Sequence, residues 1–199
     1  MPKEARAATP RGWVEQGKYD NWFALRVKSR HEKVVAGSLE NKGFAHLLPL
    51  YRSTRRWSDR TKALDLPLFP GYVFCRFDLC QRGQIVQTFG VHSIVAFGSE
   101  PSPVAPEDIF SLCSLIDAGT DARPTQYLAA GQRVMVTEGP LSGVTGYLMK
   151  LRNSRTLVIS ICLLQRSVAV EIDRTSAIPL GLRPAPVLSW HRTPAQRIA

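Results

Sequence analysis

Long apolar runs are missing from this chain. Nothing among its 199 residues approaches the roughly 20 consecutive apolar positions that a bilayer-spanning helix needs. Met1 to Asp20 mixes charges and has no apolar centre of the kind that marks a secretory signal, so a cytoplasmic protein with no membrane partner is expected. Cysteine is scarce and scattered: Cys75, Cys80, Cys113 and Cys162 form no CxxC pair, and the nearest two lie five positions apart with no histidine beside them. That spacing argues against a metal site or a disulfide framework and for buried thiols in a reducing compartment. His31, His46, His92 and His191 fall on different elements, and no Ser/His/Asp or Cys/His spacing suggests an activated nucleophile. No glycine-rich phosphate cradle is present, and Gly139, Gly143 and Gly146 read as turn glycines between strands. The chain is therefore expected to be no enzyme, with neither cofactor nor metal.

Acidic residues are also in short supply. Lys and Arg number 26 against 16 Asp and Glu, a formal net charge of +10. Residues 22–62 carry ten basic and three acidic side chains, whereas residues 63–117 carry two basic and six acidic. A body that is positive on one half and negative on the other suits contact with nucleic acid on one side and protein on the other. Solvated lysines and arginines on an ordinary basic protein are the plainer alternative.

What is present centres on Leu68-Phe69-Pro70-Gly71-Tyr72-Val73-Phe74. Pro70-Gly71 is a turn dipeptide, Pro presetting φ and Gly supplying φ > 0 at the next position. The strand that follows, Tyr72 to Phe77, alternates faces: Val73, Cys75 and Phe77 on one, Tyr72, Phe74 and Arg76 on the other. An earlier strand, Trp22 to Val27, repeats this, with Phe23, Leu25 and Val27 inward and Trp22, Ala24 and Arg26 outward. The first set of each makes a core. The second clusters aromatics on a face that is either bare for a partner or covered by helices or a linker of the same chain.

The remaining punctuation predicts two units. Ser29 and Glu32 have capping-box spacing ahead of a helix running to Lys42, with Val34, Val35, Ser38 and Leu39 on one face and Gly43 as its stop. Phe44 to Tyr51 reads as a strand and Arg52 to Lys62 as a basic hairpin or loop. A short helix at 84–89, a strand at 94–97 and a helix from Pro106 complete a small α+β sandwich. Residues 118–130 read as a flexible linker. Short β-rich runs at 133–136, 144–150, 156–162 and 167–172, with Ile178 after them, predict a small barrel. Residues 1–20 and 181–199 read as disordered tails.

In this order the motifs are similar to the NusG family of transcription elongation factors. The matching residues are Trp22-Phe23-Ala24-Leu25, Leu66 through Phe74, Gly90-Val91 before Ile94-Val95, and a KOW-type segment from Gly131-Gln132-Arg133-Val134 through Glu138–Gly143 to Gly146. The resemblance implies an N-terminal NGN domain over 21–117 and an SH3-like KOW barrel over 131–180. It implies a monomeric factor that binds the clamp helices of the largest RNA polymerase subunit, bridges the DNA channel and suppresses pausing or termination. Trp22, Phe69, Pro70, Gly71, Tyr72 and Phe74 match the clamp-binding region. In the operon-specific branch typified by RfaH, basic residues meet non-template DNA. Lys28 matches such a position, Arg30 and His31 are near it, and Arg52, Arg55, Arg56 and Arg60 would reach upstream DNA. Trp57 either stacks on a base or packs on its own loop. The KOW unit would recruit Rho or a small ribosomal subunit protein, with Val144 and Leu164 matching its apolar surface or lying in its core. Trp57–Arg60 and Leu163–Val168 look more like the specialised antitermination paralogs than the general factor. The alternative function is an RNA- or ribosome-binding KOW protein that does not touch polymerase.

Overall fold

A computed structural model describes residues 21–56, 61–125, 132–151, 154–172 and 177–180. The first part runs β1 (Asn21–Val27), α1 (Glu32–Asn41), β2 (Ala45–Leu47), β3 (Leu50–Arg56), β4 (Thr61–Pro67) and β5 (Tyr72–Phe77). A 3-10 turn at Leu79–Gln81 leads to α2 (Arg82–Val86), β6 (Val91–Ile94), β7 (Ala96–Phe97), β8 (Glu100–Pro101) and α3 (Pro106–Asp117). The second part is β9 (Arg123–Thr125), β10 (Gln132–Val136), β11 (Thr145–Leu151), β12 (Ser154–Ile161), β13 (Arg166–Ile172) and β14 (Ala177–Pro179). The architecture is mixed α+β.

An antiparallel sheet of order β2-β5-β1-β6 organises the first part. Trp22 pairs with Arg76, Ala24 with Phe74 and Arg26 with Tyr72. Side chains alternate across a strand, so this register sorts the two strands as the sequence predicts. Phe23, Leu25, Val27, Val73, Cys75 and Phe77 fill one core with Val35 and Leu39 of α1 and Ile85 of α2. Trp22, Ala24 and Phe74 lie on the opposite face. α1 turns a different stripe inward than predicted, burying Glu32, Val35, Ala36 and Leu39 and exposing Val34. The predicted strand 44–51 is split at Leu48-Pro49 between β2 and β3. β3 and β4 then pair as a separate hairpin, whose residues 57–60, including Trp57 and Arg60, lie outside the described residues.

A six-stranded antiparallel sheet of order β14-β10-β11-β12-β13-β9 forms the second part. Its strands β10 to β14 fall where the β-rich runs predict them. Residues 118–130 do not read as one linker in the structure, because Arg123–Thr125 pairs with β13 as an edge strand. The same segment also begins inside the α3 C-terminus, where Ala118 N–H donates to Ser114 O at 2.9 Å. Gly146, expected in a turn, sits within β11; a Cβ there would stand 2.7 Å from the Val158 carbonyl oxygen, so close approach of β12 requires glycine.

Candidate interaction site

Phe69 to Tyr72 forms the predicted turn: Tyr72 N–H donates to Phe69 O at 3.1 Å and Gly71 adopts φ +84°. Pro at the second position and a left-handed glycine at the third define a type II turn. Two further bonds anchor it. Val27 N–H donates to Gly71 O at 2.8 Å, and Gly71 N–H donates to Glu32 Oε1, also at 2.8 Å. Glu32 is therefore not a capping-box partner of Ser29; His31 holds the N-cap position without a side-chain cap bond. The buried carboxylate instead ties the start of α1 to the turn between β4 and β5.

The aromatics beside that turn are not bare. Phe74 is 0%, Phe69 1% and Trp22 9% exposed, and Phe69 packs edge-on to Phe74 with ring centroids 5.7 Å apart. Residues further along the chain cover them. Val104 N–H donates to Trp22 O at 2.8 Å, and Phe23 bridges to Pro103. α3 follows with Ile109, Leu112 and Leu115 buried in the same cluster, and α3 in turn packs on β12. Val134, Leu157, Ile159 and Val168 of the second sheet extend this continuous core. Of Trp22, Phe69, Pro70, Gly71, Tyr72 and Phe74, only Pro70 is exposed, with Gly71 and Tyr72 half-buried. Of the two alternatives for this face, cover by the same chain is the one the structure shows, and the aromatics are not bare for a partner. Val144 and Leu164 are likewise core side chains of the second part, not surface.

Electrostatics mark the junction of the two parts. Asp108, in the first turn of α3, has its carboxyl pushed up to about 6 by burial and by neighbouring Glu107, with Arg133 of β10 acting in the opposite sense. Phe110 of α3 lies against Gly143, where an added Cβ would come within 3.5 Å of the ring.

The basic residues divide. Lys28 and Arg30 are exposed and His31 half-buried at the end of β1 and the start of α1. Arg52, paired with Asp65 across the hairpin, lines an open groove of about 750 Å³ with Tyr51, Asp121 and Arg123. Arg55 and Arg56 belong to β3. Phe89, which no sequence motif singles out, is an exposed aromatic whose ring stands near both Lys28 and His31. Its signal was legible as a bulky apolar residue beside the turn glycine Gly90. Among the thiols, burial pushes Cys75 up to about 12 and Cys113 to about 11, whereas Cys80 is exposed, contrary to the expectation of buried cysteines. Among the described residues no group of three or more His, Cys, Asp or Glu could hold a metal ion, and no helix is long and apolar enough to cross a membrane.

Fold and surface together define a two-part α+β protein, its first part a helix-flanked sheet with a basic rim and its second a six-stranded sheet. Residues 20–113 match the family model described as NusG, transcription termination factor nusG. Over those residues the chain is similar to the NusG family, and beyond them it resembles NusG proteins from several species. It is 24% identical over 170 residues to the transcription termination/antitermination protein NusG of Halalkalibacterium halodurans, spanning 78% of this chain and 96% of that one. With the Thermus thermophilus protein of the same name it shares 25% identity over 178 residues, 79% of this chain and 97% of the relative. With the one from Deinococcus radiodurans it shares 30% over 125 residues, 53% and 65% of the two chains. Among solved structures, one of Thermotoga maritima NusG concerned with its domain interaction superposes with a TM-score of 0.50 at 17% identity, covering 79% of this chain and 96% of that one. That likeness is one of fold.

Proposed function

We propose that the chain is a non-enzymatic transcription elongation and antitermination factor. Its first part, an NGN domain, binds the RNA polymerase clamp, bridges the DNA channel and suppresses pausing or termination. Its second part, an SH3-like KOW barrel, recruits a further partner, Rho or a small ribosomal subunit protein. One observation carries this reading: the homology to termination/antitermination proteins runs through nearly their whole length, 96% and 97% of two of them, and so takes in both parts. The clamp contact uses the rim that is accessible, Pro70, Gly71 and Tyr72, with Trp22, Phe69 and Phe74 as the packed floor behind it. A contact made directly on Trp22 or Phe74 would require α3 to move away. Lys28, Arg30 and His31 are assigned to non-template DNA, and Arg52, Arg55, Arg56 and Arg60 to the upstream duplex. Membership of the operon-specific branch rests on the likeness at Trp57–Arg60 and Leu163–Val168.

A second reading gains support from the covered aromatic face: an RNA- or ribosome-binding protein with no polymerase contact needs that face sealed within the chain, as it is here. In vitro transcription on a pause-bearing template separates the two. The first expects wild type to shorten pauses or increase read-through and Tyr72→Ala to lose the effect. Indifference of polymerase to saturating wild-type protein favours the second.

A further inference from the structure

Type I and type II turns differ by a flip of the central peptide, which carries φ of the third residue from about −90° to about +80°. In the Phe69–Tyr72 turn that peptide joins Pro70 to Gly71. The local sequence leaves the flip open, because Pro suits the second position of both types and Gly takes either sign of φ at little cost. The closing bond, Tyr72 N–H to Phe69 O at 3.1 Å, is compatible with both. Crowding does not require the glycine either: beyond its chain neighbours, a Cβ there would come no closer than 4.0 Å, to the Val27 carbonyl oxygen.

What fixes the flip lies on another element. Gly71 N–H, the donor of the central peptide, reaches Glu32 Oε1 at 2.8 Å. In the type I form the same N–H would point to the opposite side of the turn. Glu32 is buried at the start of α1, and among the described residues no cation pairs with it, the one ion pair being Arg123–Asp121. A buried carboxylate that accepts from an amide makes a charge-assisted bond, about twice as strong as a neutral one. Gly71 O accepts in turn from Val27 N–H at 2.8 Å. The third residue of the turn is thus held through both of its polar atoms, by the end of β1 and the start of α1. The flip itself leaves the core alone. Leu68 N–H to Pro49 O, at 2.9 Å, and the pairing of Tyr72 with Arg26 bracket the turn outside the flipping peptide. Only the attitude of Pro70 and Tyr72 at the accessible rim changes.

A rim held in one form before binding loses less freedom when its partner arrives. We propose that Glu32 is a positioning residue for the polymerase contact: its carboxylate holds the Phe69–Tyr72 turn in the type II form and so sets how Pro70 and Tyr72 meet the partner. This rests on the assignment of Pro70, Gly71 and Tyr72 to the clamp contact.

The test is a titration of core RNA polymerase with the full-length chain, at a temperature where each variant keeps its folded circular dichroism spectrum. Glu32→Asp keeps the charge and the acid in the first turn of α1 but withdraws the carboxylate by one methylene. It is expected to bind about tenfold more weakly than wild type. Glu32→Gln still offers Gly71 an oxygen and stays within about twofold of wild type. Gly71→Ala, whose side chain disfavours φ > 0, also weakens binding, and adding Glu32→Asp to it changes affinity by less than about twofold. Phe77→Leu thins the core at the far end of β5, where Phe77 packs on Phe23 with ring centroids 4.7 Å apart. It lowers the urea midpoint and leaves affinity unchanged. Wild-type affinity in Glu32→Asp, an equal loss in Glu32→Gln or Phe77→Leu, or additive losses in the double variant overturns the proposal. Failure of wild type to bind overturns the clamp assignment and this proposal together, so the wild-type titration tells the two failures apart.

Discussion

Glu32 shows how one side chain can tie three elements together. It sits in the first turn of α1, where an acid is favoured by the helix dipole, yet its carboxylate faces inward to the Gly71 N–H. Removing the acceptor leaves a backbone donor unsatisfied in a half-buried turn, so Glu32→Ala is expected to cost about 1–3 kcal/mol in urea unfolding. Glu32→Gln keeps an acceptor and should lose less; identical losses in the two variants would show that the bond holds nothing. Asp108 carries the pH dependence. Its carboxyl is raised from 3.8 to about 6 in the folded protein. The folded state therefore holds its proton more tightly than the unfolded chain. The corresponding stability is fully present below about pH 4 and is lost as pH rises through about 6. Asp108→Asn removes that penalty and is expected to be more stable than wild type by about 1–2 kcal/mol above pH 7, allowing for partial solvent screening. The two proteins should converge near pH 4. A pH-independent difference between them would contradict this.

At the scale of elements, the alternation of β1 and β5 was readable because a strand's period of two leaves little choice. The type II turn was readable from Pro70-Gly71 for the same local reason. What covers the second face was not, because that depends on contacts between residues 22–74 and 104–170, far apart in sequence. One clue was available: Ile109, Leu112 and Leu115 form a stripe along α3 that requires an apolar partner. Burial changes what a mutation there can report. Phe69 is enclosed and packed on Phe74, so Phe69→Ala is expected to destabilise the fold by about 3–5 kcal/mol, seen as a lower denaturant midpoint, and cannot serve as a clean probe of binding. Near-wild-type stability of that variant would mean that the face opens readily. The helix cap at Ser29 misled because Glu32 had a better partner across the fold than the one three residues upstream.

Over the whole molecule, α3 and the Arg123–Thr125 strand join what sequence divides into two units and a linker. The β-rich runs from 133 onward gave the second sheet almost strand for strand, since β-branched residues between turn signals are a local pattern. The packing of that sheet against α3 is a global one, and it leaves Pro70 and Tyr72 as the accessible edge of the motif. The most direct test of the account is a titration of core RNA polymerase with the full-length chain. Wild type is expected to bind, and Tyr72→Ala to bind at least about tenfold more weakly while keeping its folded circular dichroism spectrum. Failure of wild type to bind core polymerase, or equal binding by the two proteins, would contradict it.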